Sequence, residues 1–168
     1  MAVISWHLQE VPLKMETRQV YGVVFDAQGR TLLKIELKNN KNVYSLAGGT
    51  PEKFDNTRID TLKREFVEEV NTSLKDEIYY VGYQEVDEED GSPVYAQVRM
   101  TAMIDNIGEK LPDPDNGKTY DRVLVSPKKA IELLGWGEIG KQIIEEASKI
   151  AVEKFNLTLS TDEEEFFV

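Results

Sequence analysis

The stretch that decides the fold runs from Ala47 to Leu74 and reads AGGTPEKFDNTRIDTLKREFVEEVNTSL. Ile59, Leu62, Phe66 and Val70 recur at the spacing of one helical face, which predicts a helix from about Thr57 to about Val70. Thr57 suits its N-cap, with Asp60 three residues on as the acidic partner of a capping box. Beside the apolar stripe stand three glutamates, Glu65, Glu68 and Glu69. At about 100° per residue they fall within an arc of about 100°, so that the apolar face docks on a sheet and the acids line its border. Like charges one turn apart repel. A solvated helix tolerates this, and the acids alone suit such a face. A divalent cation would make use of it, because clustered carboxylate oxygens favour hard ions such as Mg²⁺ or Mn²⁺.

The flanking residues favour the second reading. Gly48-Gly49 ends a short strand just before the helix, and glycine there lets the backbone turn sharply beside a ligand. Arg64 adjoins the acids and can hold a carboxylate through paired N–H bonds. Working outward, Arg18–Asp26 and Arg30–Leu37 are rich in β-branched and aromatic residues. They predict two strands joined as a hairpin through Ala27-Gln28-Gly29. Val43–Leu46, Glu77–Val86, Val94–Ile104 and Tyr120–Val125 read as further strands, with an acidic turn at Asp87–Ser92 and a proline-containing loop at Ile107–Thr119. Ser126-Pro127 opens a helix towards Leu134, and Glu138 to about Phe155 is a longer amphipathic helix. Residues 1–16 form a lead-in, an irregular arm or a short edge strand, and the acidic tail 160–168 is expected to fray. The order is not a βα alternation. It predicts an α/β class with a mixed β-sheet packed between helices, as one domain over residues 1–168.

Composition narrows the chemistry. The 168 residues contain no cysteine and a single histidine, His7, so thiolate sites, disulfides and multi-histidine metal centres are excluded. The net charge of −11 disfavours broad nucleic-acid binding, whereas a phosphorylated small molecule accompanied by a divalent cation can still bind. Met1–Lys14 has neither the basic start nor the apolar run of a signal peptide, and no stretch is long enough to span a bilayer, so a cytoplasmic protein without a membrane partner is expected. Tyr79, Tyr80, Tyr83 and Tyr95 can stack on a base but more commonly pack within strands. Trp136 is expected to plug the edge of the core between two helices.

The stretch resembles the Nudix box of the Nudix hydrolases: Gly, five residues, Glu, seven residues, Arg-Glu, an apolar residue, any residue, Glu-Glu, any residue, Gly. Here the second half reads Arg64-Glu65-Phe66-Val67-Glu68-Glu69-Val70-Asn71. Two positions depart. One extra residue lies between Gly49 and Arg64, so Asn56 falls where the first glutamate belongs, with Asp55 or Glu52 as substitutes. Asn71 replaces the last glycine, a mild change because asparagine also tolerates a left-handed C-cap.

The resemblance implies a Nudix-like α/β/α sandwich and hydrolysis of a pyrophosphate bond in a nucleoside diphosphate derivative, with Mg²⁺ or Mn²⁺ as cofactor. It implies Glu68 and Glu69 as the first metal ligands, Glu65 as ligand or general base, the Gly48 carbonyl as a further ligand and Arg64 as their orienting partner. A loop acid often completes such sites, and Asp113, Asp115 and Asp121 are candidates. Dimers are frequent in the family, and exchange of the N-terminal arm would suit a homodimer. The altered first half of the box equally suits a nucleotide-binding sensor that has lost catalysis. Removal of RNA caps or 5′ ends is a weaker reading, opposed by the charge.

Overall fold

A computed structural model describes residues 1–168. Its elements in chain order are strands β1 (Val3–His7), β2 (Glu16–Phe25), β3 (Thr31–Lys38), β4 (Lys41–Ser45) and β5 (Gly48–Gly49), helix α1 (Arg58–Val70), strands β6 (Thr72–Asp87), β7 (Tyr95–Ile107) and β8 (Asp121–Val125), helices α2 (Pro127–Leu134) and α3 (Gly137–Phe155), and strand β9 (Phe166–Phe167). The sheet runs β1-β6-β7-β2-β3-β8-β9, with β5 paired to β2 and β4 to β3. Only β2 and β7 run parallel, so the sheet is mixed.

Strand alternation builds two cores on one sheet. Val20 and Val24 of β2, Leu32 of β3 and Leu124 of β8 bury against Leu62, Phe66 and Val70 of α1. Their neighbours Val23, Phe25, Leu33, Val123 and Val125 face the opposite way, onto Ala130 and Leu134 of α2 and Ile143, Ile144 and Ala147 of α3. The result is the expected α/β/α sandwich. At Gly22 a side chain would begin 2.8 Å from Phe66 Cε1 and 3.0 Å from Leu62 Cδ1, so the bare backbone there sets how closely α1 sits on the sheet.

The hairpin expected from β2 and β3 is only partly formed. The two strands pair at Phe25–Thr31 and then part. The ribbon β4–β5 fills the split: Ser45 to Lys41 pair along β3, and Gly48 and Gly49 pair with Tyr21 and Val20 of β2. Periodicity within each strand could not reveal this, because pairing depends on what else competes for the strand edge.

Both termini are more ordered than the sequence suggests. Of the two forms expected for the lead-in, Val3–His7 takes the edge strand, pairing with β6 of the same chain. The tail does not fray. Phe166 and Phe167 pair with Leu124 and Val123, the Phe166 ring packs on the α1-side core beneath Arg30, and Arg122 Nε donates to the Val168 carbonyl. An acidic run masked two aromatic residues that add a last strand to an open edge. No helix is long and apolar enough to cross a membrane.

Gly22→Val is expected to lower stability by about 1–3 kcal/mol through overpacking against Phe66 and Leu62, measured by urea unfolding. An unchanged midpoint would mean that α1 can lift off the sheet freely.

Candidate functional site

Helix α1 begins as its sequence predicts. Thr57 Oγ1 accepts from Asp60 N at 3.2 Å, and Asp60 Oδ2 accepts from Thr57 N at 3.1 Å. The apolar stripe then fixes the rotation of the helix and turns its acids towards the split between β2 and β3. Carboxylate oxygens of Glu65, Glu68 and Asp115 lie within 4.8 Å of one another, close enough to ligate one cation. Arg64 binds the group together. Its Nη1 donates to Glu65 Oε1 at 3.0 Å and to Glu68 Oε2 at 3.1 Å, and its Nη2 donates to the Thr50 carbonyl at 3.0 Å.

Gly49 makes the room. A side chain there would begin 2.4 Å from Glu65 Cδ, so the Glu65 carboxylate occupies the space that a Cβ would fill. Gly48 has φ +152°, and a Cβ on it would lie 2.1 Å from the Val20 carbonyl oxygen, which only glycine avoids. Its N–H donates to Glu69 Oε1 at 2.9 Å, while Lys34 Nζ holds Glu69 Oε2 at 2.7 Å. Glu69 therefore stands beside the three-acid group with both oxygens engaged by the protein.

Neither a protein-family model nor a curated protein sequence matches the chain. Solved structures do match. The pyrophosphohydrolase BsRppH of Bacillus subtilis is similar with a TM-score of 0.64 at 17% identity, over 90% of this chain and 90% of that one. A NUDIX hydrolase from Listeria monocytogenes is similar with a TM-score of 0.59 at 18% identity, over 81% of this chain and 94% of the other. NrtR of Shewanella oneidensis, solved in complex with a 27mer DNA, gives 0.55 at 16%, over 83% of this chain and 64% of that one. The chain has the Nudix hydrolase fold.

Within that fold the two departures from the box acquire physical readings. Asn56, at the position of the first glutamate, only caps the turn through its backbone N–H to Asp60. Asp55 instead meets Arg64: Oδ1 accepts from Nε at 3.2 Å and Oδ2 from Nη2 at 2.9 Å. Thr61 Oγ1 and Glu52 N also donate to Oδ2. The hydrogen bonds from Arg64 lead in holding the Asp55 carboxyl down at about 2. Glu52 contributes its backbone and not its carboxylate.

Asn71 is left-handed, at φ 49° and ψ 42°, as a glycine substitute must be. Its side chain also does what glycine cannot. Oδ1 accepts from Leu111 N at 2.8 Å and Nδ2 donates to the Val67 carbonyl, while its own carbonyl accepts from Gly108 N at 2.8 Å. Asn71 thus clasps the Ile107–Thr119 loop to the end of α1. Among the loop acids, Asp115 joins the cluster. Asp113 is buried and folds its own loop, accepting from Asp115 N, and Asp121 pairs with Lys110 at the surface.

Four side chains that sequence reasoning passed over or read as packing lie near the acids, Lys34 at the split itself and the other three on the opposite face of the sheet. Tyr21, Lys34, Arg99 and Trp136 line a cavity of about 460 Å³. The tyrosines that the sequence singled out are elsewhere: Tyr83 stacks on His7, Tyr80 donates to the Gln9 carbonyl, Tyr79 packs by Phe155 and Tyr95 lies under Arg18. Trp136 forms a wall of the cavity instead of plugging the core edge. The one available signal was Arg99 itself, the single cation in β7.

Burial raises the Glu65 carboxyl from its ordinary 4.5 to about 7, with Arg64 opposing and Glu69 and Glu68 adding to the rise. Between those two values the folded chain keeps a proton that the unfolded chain releases, so this group's contribution to stability falls as pH rises through the window. In chelator, Glu65→Gln is expected to melt above wild type at pH 8 and level with it at pH 4.5. Equal differences at both pH values would mean that Glu65 ionises normally. Asn71→Gly keeps the left-handed turn but frees the loop. It is expected to weaken Mn²⁺ binding by about tenfold, within the range for groups that orient metal ligands. Manganese relaxation titration measures this, and unchanged affinity would remove the loop from the site.

Proposed function

We propose that the protein is a divalent-metal-dependent hydrolase that cleaves a pyrophosphate bond in a nucleoside diphosphate derivative. The observation that carries this reading is the convergence of Glu65, Glu68 and Asp115 under the Arg64 guanidinium, in a space that Gly49 leaves open. The donor set is entirely oxygen and anionic, which fits Mg²⁺ or Mn²⁺ and does not fit softer ions. Glu68 and Asp115 would hold the cation, with Glu65 either as a third ligand or as a base. Glu69 and the Gly48 carbonyl complete the set that the Nudix box implies, Glu69 by exchanging its Lys34 partner for metal. When bound, the metal would act as Lewis acid and lower the pKa of water.

The chain's own groups supply the remainder. Arg64 keeps Glu65 and Glu68 convergent before substrate arrives, so their repulsion does not have to be overcome at that moment. Glu65, protonated up to about pH 7 without metal, is placed to accept a proton from water near neutral pH. Lys34, next to Glu69, supplies positive charge where the cavity meets the acids, suited to a phosphate oxygen. The cytoplasm, with its nucleotides and magnesium, is the compartment that suits such an activity.

Phosphate release from nucleoside triphosphates, dinucleoside polyphosphates, ADP-ribose and nucleotide sugars tests the proposal. Turnover is expected to require Mg²⁺, and Glu65→Gln is expected to lower kcat by roughly 10²- to 10⁴-fold, as loss of a general base does. Failure of the wild type on every substrate in the panel, with Mg²⁺ or Mn²⁺, would count against hydrolysis. Nucleotide binding that persists under chelation without turnover would favour the sensor.

A further inference from the structure

The cavity on the α3 side of the sheet holds an uncompensated cation. Arg99 is only 3% exposed and forms no ion pair. Its Nη1 donates to the Gln97 carbonyl at 3.1 Å, and its Nε is buried with no acceptor. A guanidinium has five N–H donors; with Nε enclosed, the second hydrogen of Nη1 and the two of Nη2, which bonds to nothing in the chain, are the ones left for a ligand. Burial pulls Arg99 down from its ordinary value to about 10, which leaves it charged at neutral pH. Tyr21 and Trp136 lie 4.9 and 5.9 Å from its Cζ, ring centroid to carbon. The other polar walls are Lys34, already paired with Glu69, Ser45, and Gln84 and Gln97, whose amides bond to each other at 3.1 Å. No carboxylate lines the cavity, although the chain carries a net charge of −11. A buried donor left unmet is expensive, so the ligand that supplies acceptors gains most.

Position narrows the ligand. Tyr21 is the register partner of Gly48 on one side and of Arg99 on the other. Arg99 therefore sits two strand spacings, about 10 Å, from the turn that touches Glu69. That span exceeds the step from one phosphate to the next and matches the reach from a nucleotide's phosphates to the far edge of its base. Aromatic walls suit a flat heterocycle.

Resting on the hydrolase reading above, we infer that this cavity takes the nucleobase and that Arg99 determines its specificity among purines, selecting those that present a carbonyl beside N7, the guanine and hypoxanthine class. Their O6 and N7 accept together from a guanidinium, whereas adenine turns an amino donor towards it. Arg99 acts on binding and takes no part in the bond cleavage.

Calorimetric titration with GMP, IMP and AMP in chelator tests this without metal or turnover. GMP and IMP are expected to bind wild type about tenfold more tightly than AMP, or better, in line with one bidentate base contact. Arg99→Gln is expected to erase the preference while melting no lower than wild type, because it removes an unpaired buried charge. Arg99→Lys keeps the charge without the planar fork and is expected to restore little of the preference. The inference is overturned if AMP binds as tightly as GMP, if none of the three binds at millimolar concentration, or if Arg99→Lys matches wild type, which would mean that charge alone is read. A lower melting temperature for Arg99→Gln with the preference intact would make Arg99 structural and likewise overturn it. A base preference in a protein with no turnover would sink the hydrolase reading alone. Turnover without a base preference would sink only this one.

Discussion

Electrostatic repulsion among carboxylates is the constraint around which the site is arranged. Glu65, Glu68 and Asp115 converge to within 4.8 Å, with Glu69 directly after Glu68 on α1. Two cations make the arrangement tenable. Arg64 bridges Glu65 and Glu68, and Lys34 holds Glu69. Arg64 is itself fixed by a two-point bond to Asp55 and a third bond to the Thr50 carbonyl, so the loop ahead of α1 is part of the device. The compensation is partial. Burial raises the Glu65 carboxyl and shifts Glu68 in the same direction, because desolvation outweighs the opposing Arg64.

The split in the sheet gives that charge somewhere to act. Had β2 and β3 paired along their full length, α1 would face a closed surface. They pair at Phe25–Thr31 and diverge, and Gly48 and Gly49 enter the gap. The acids approach the gap from the α1 side and the cavity opens on the α3 side. Lys34 joins them, lining the cavity and bonding Glu69. The two sides are opposite in charge: carboxylates at the end of the gap towards α1, and guanidinium and ammonium in the cavity.

Much of this was legible in the sequence, and the legible part is local. The capping box at Thr57 and Asp60, the apolar stripe of α1, the acids on its border and the left-handed turn at Asn71 each depend on residues within a turn or two. Helical geometry alone places such groups. The same holds for the strands, whose β-branched and aromatic runs appear near their expected positions. The resemblance to the Nudix box rested on that local pattern, and the shared fold of distant solved structures agrees with it at 16–18% identity.

What only the tertiary structure decided involves partners far apart along the chain. Asp55 rather than Asn56 reaches Arg64, held there by Thr61 Oγ1 and the Glu52 N–H. Asp115 rather than Asp121 joins the acids because Asn71 clasps the loop to α1. The acidic tail becomes a strand because Phe166 finds an open edge and an apolar seat beneath Arg30. The cavity around Arg99 draws its walls from β1, β2, β3, β4, β6, β7 and the start of α3. Short-range periodicity fixes which way a side chain points from its own strand or helix. It carries no information about which distant segment folds over to meet it, because that choice belongs to strand pairing and packing across the whole sheet.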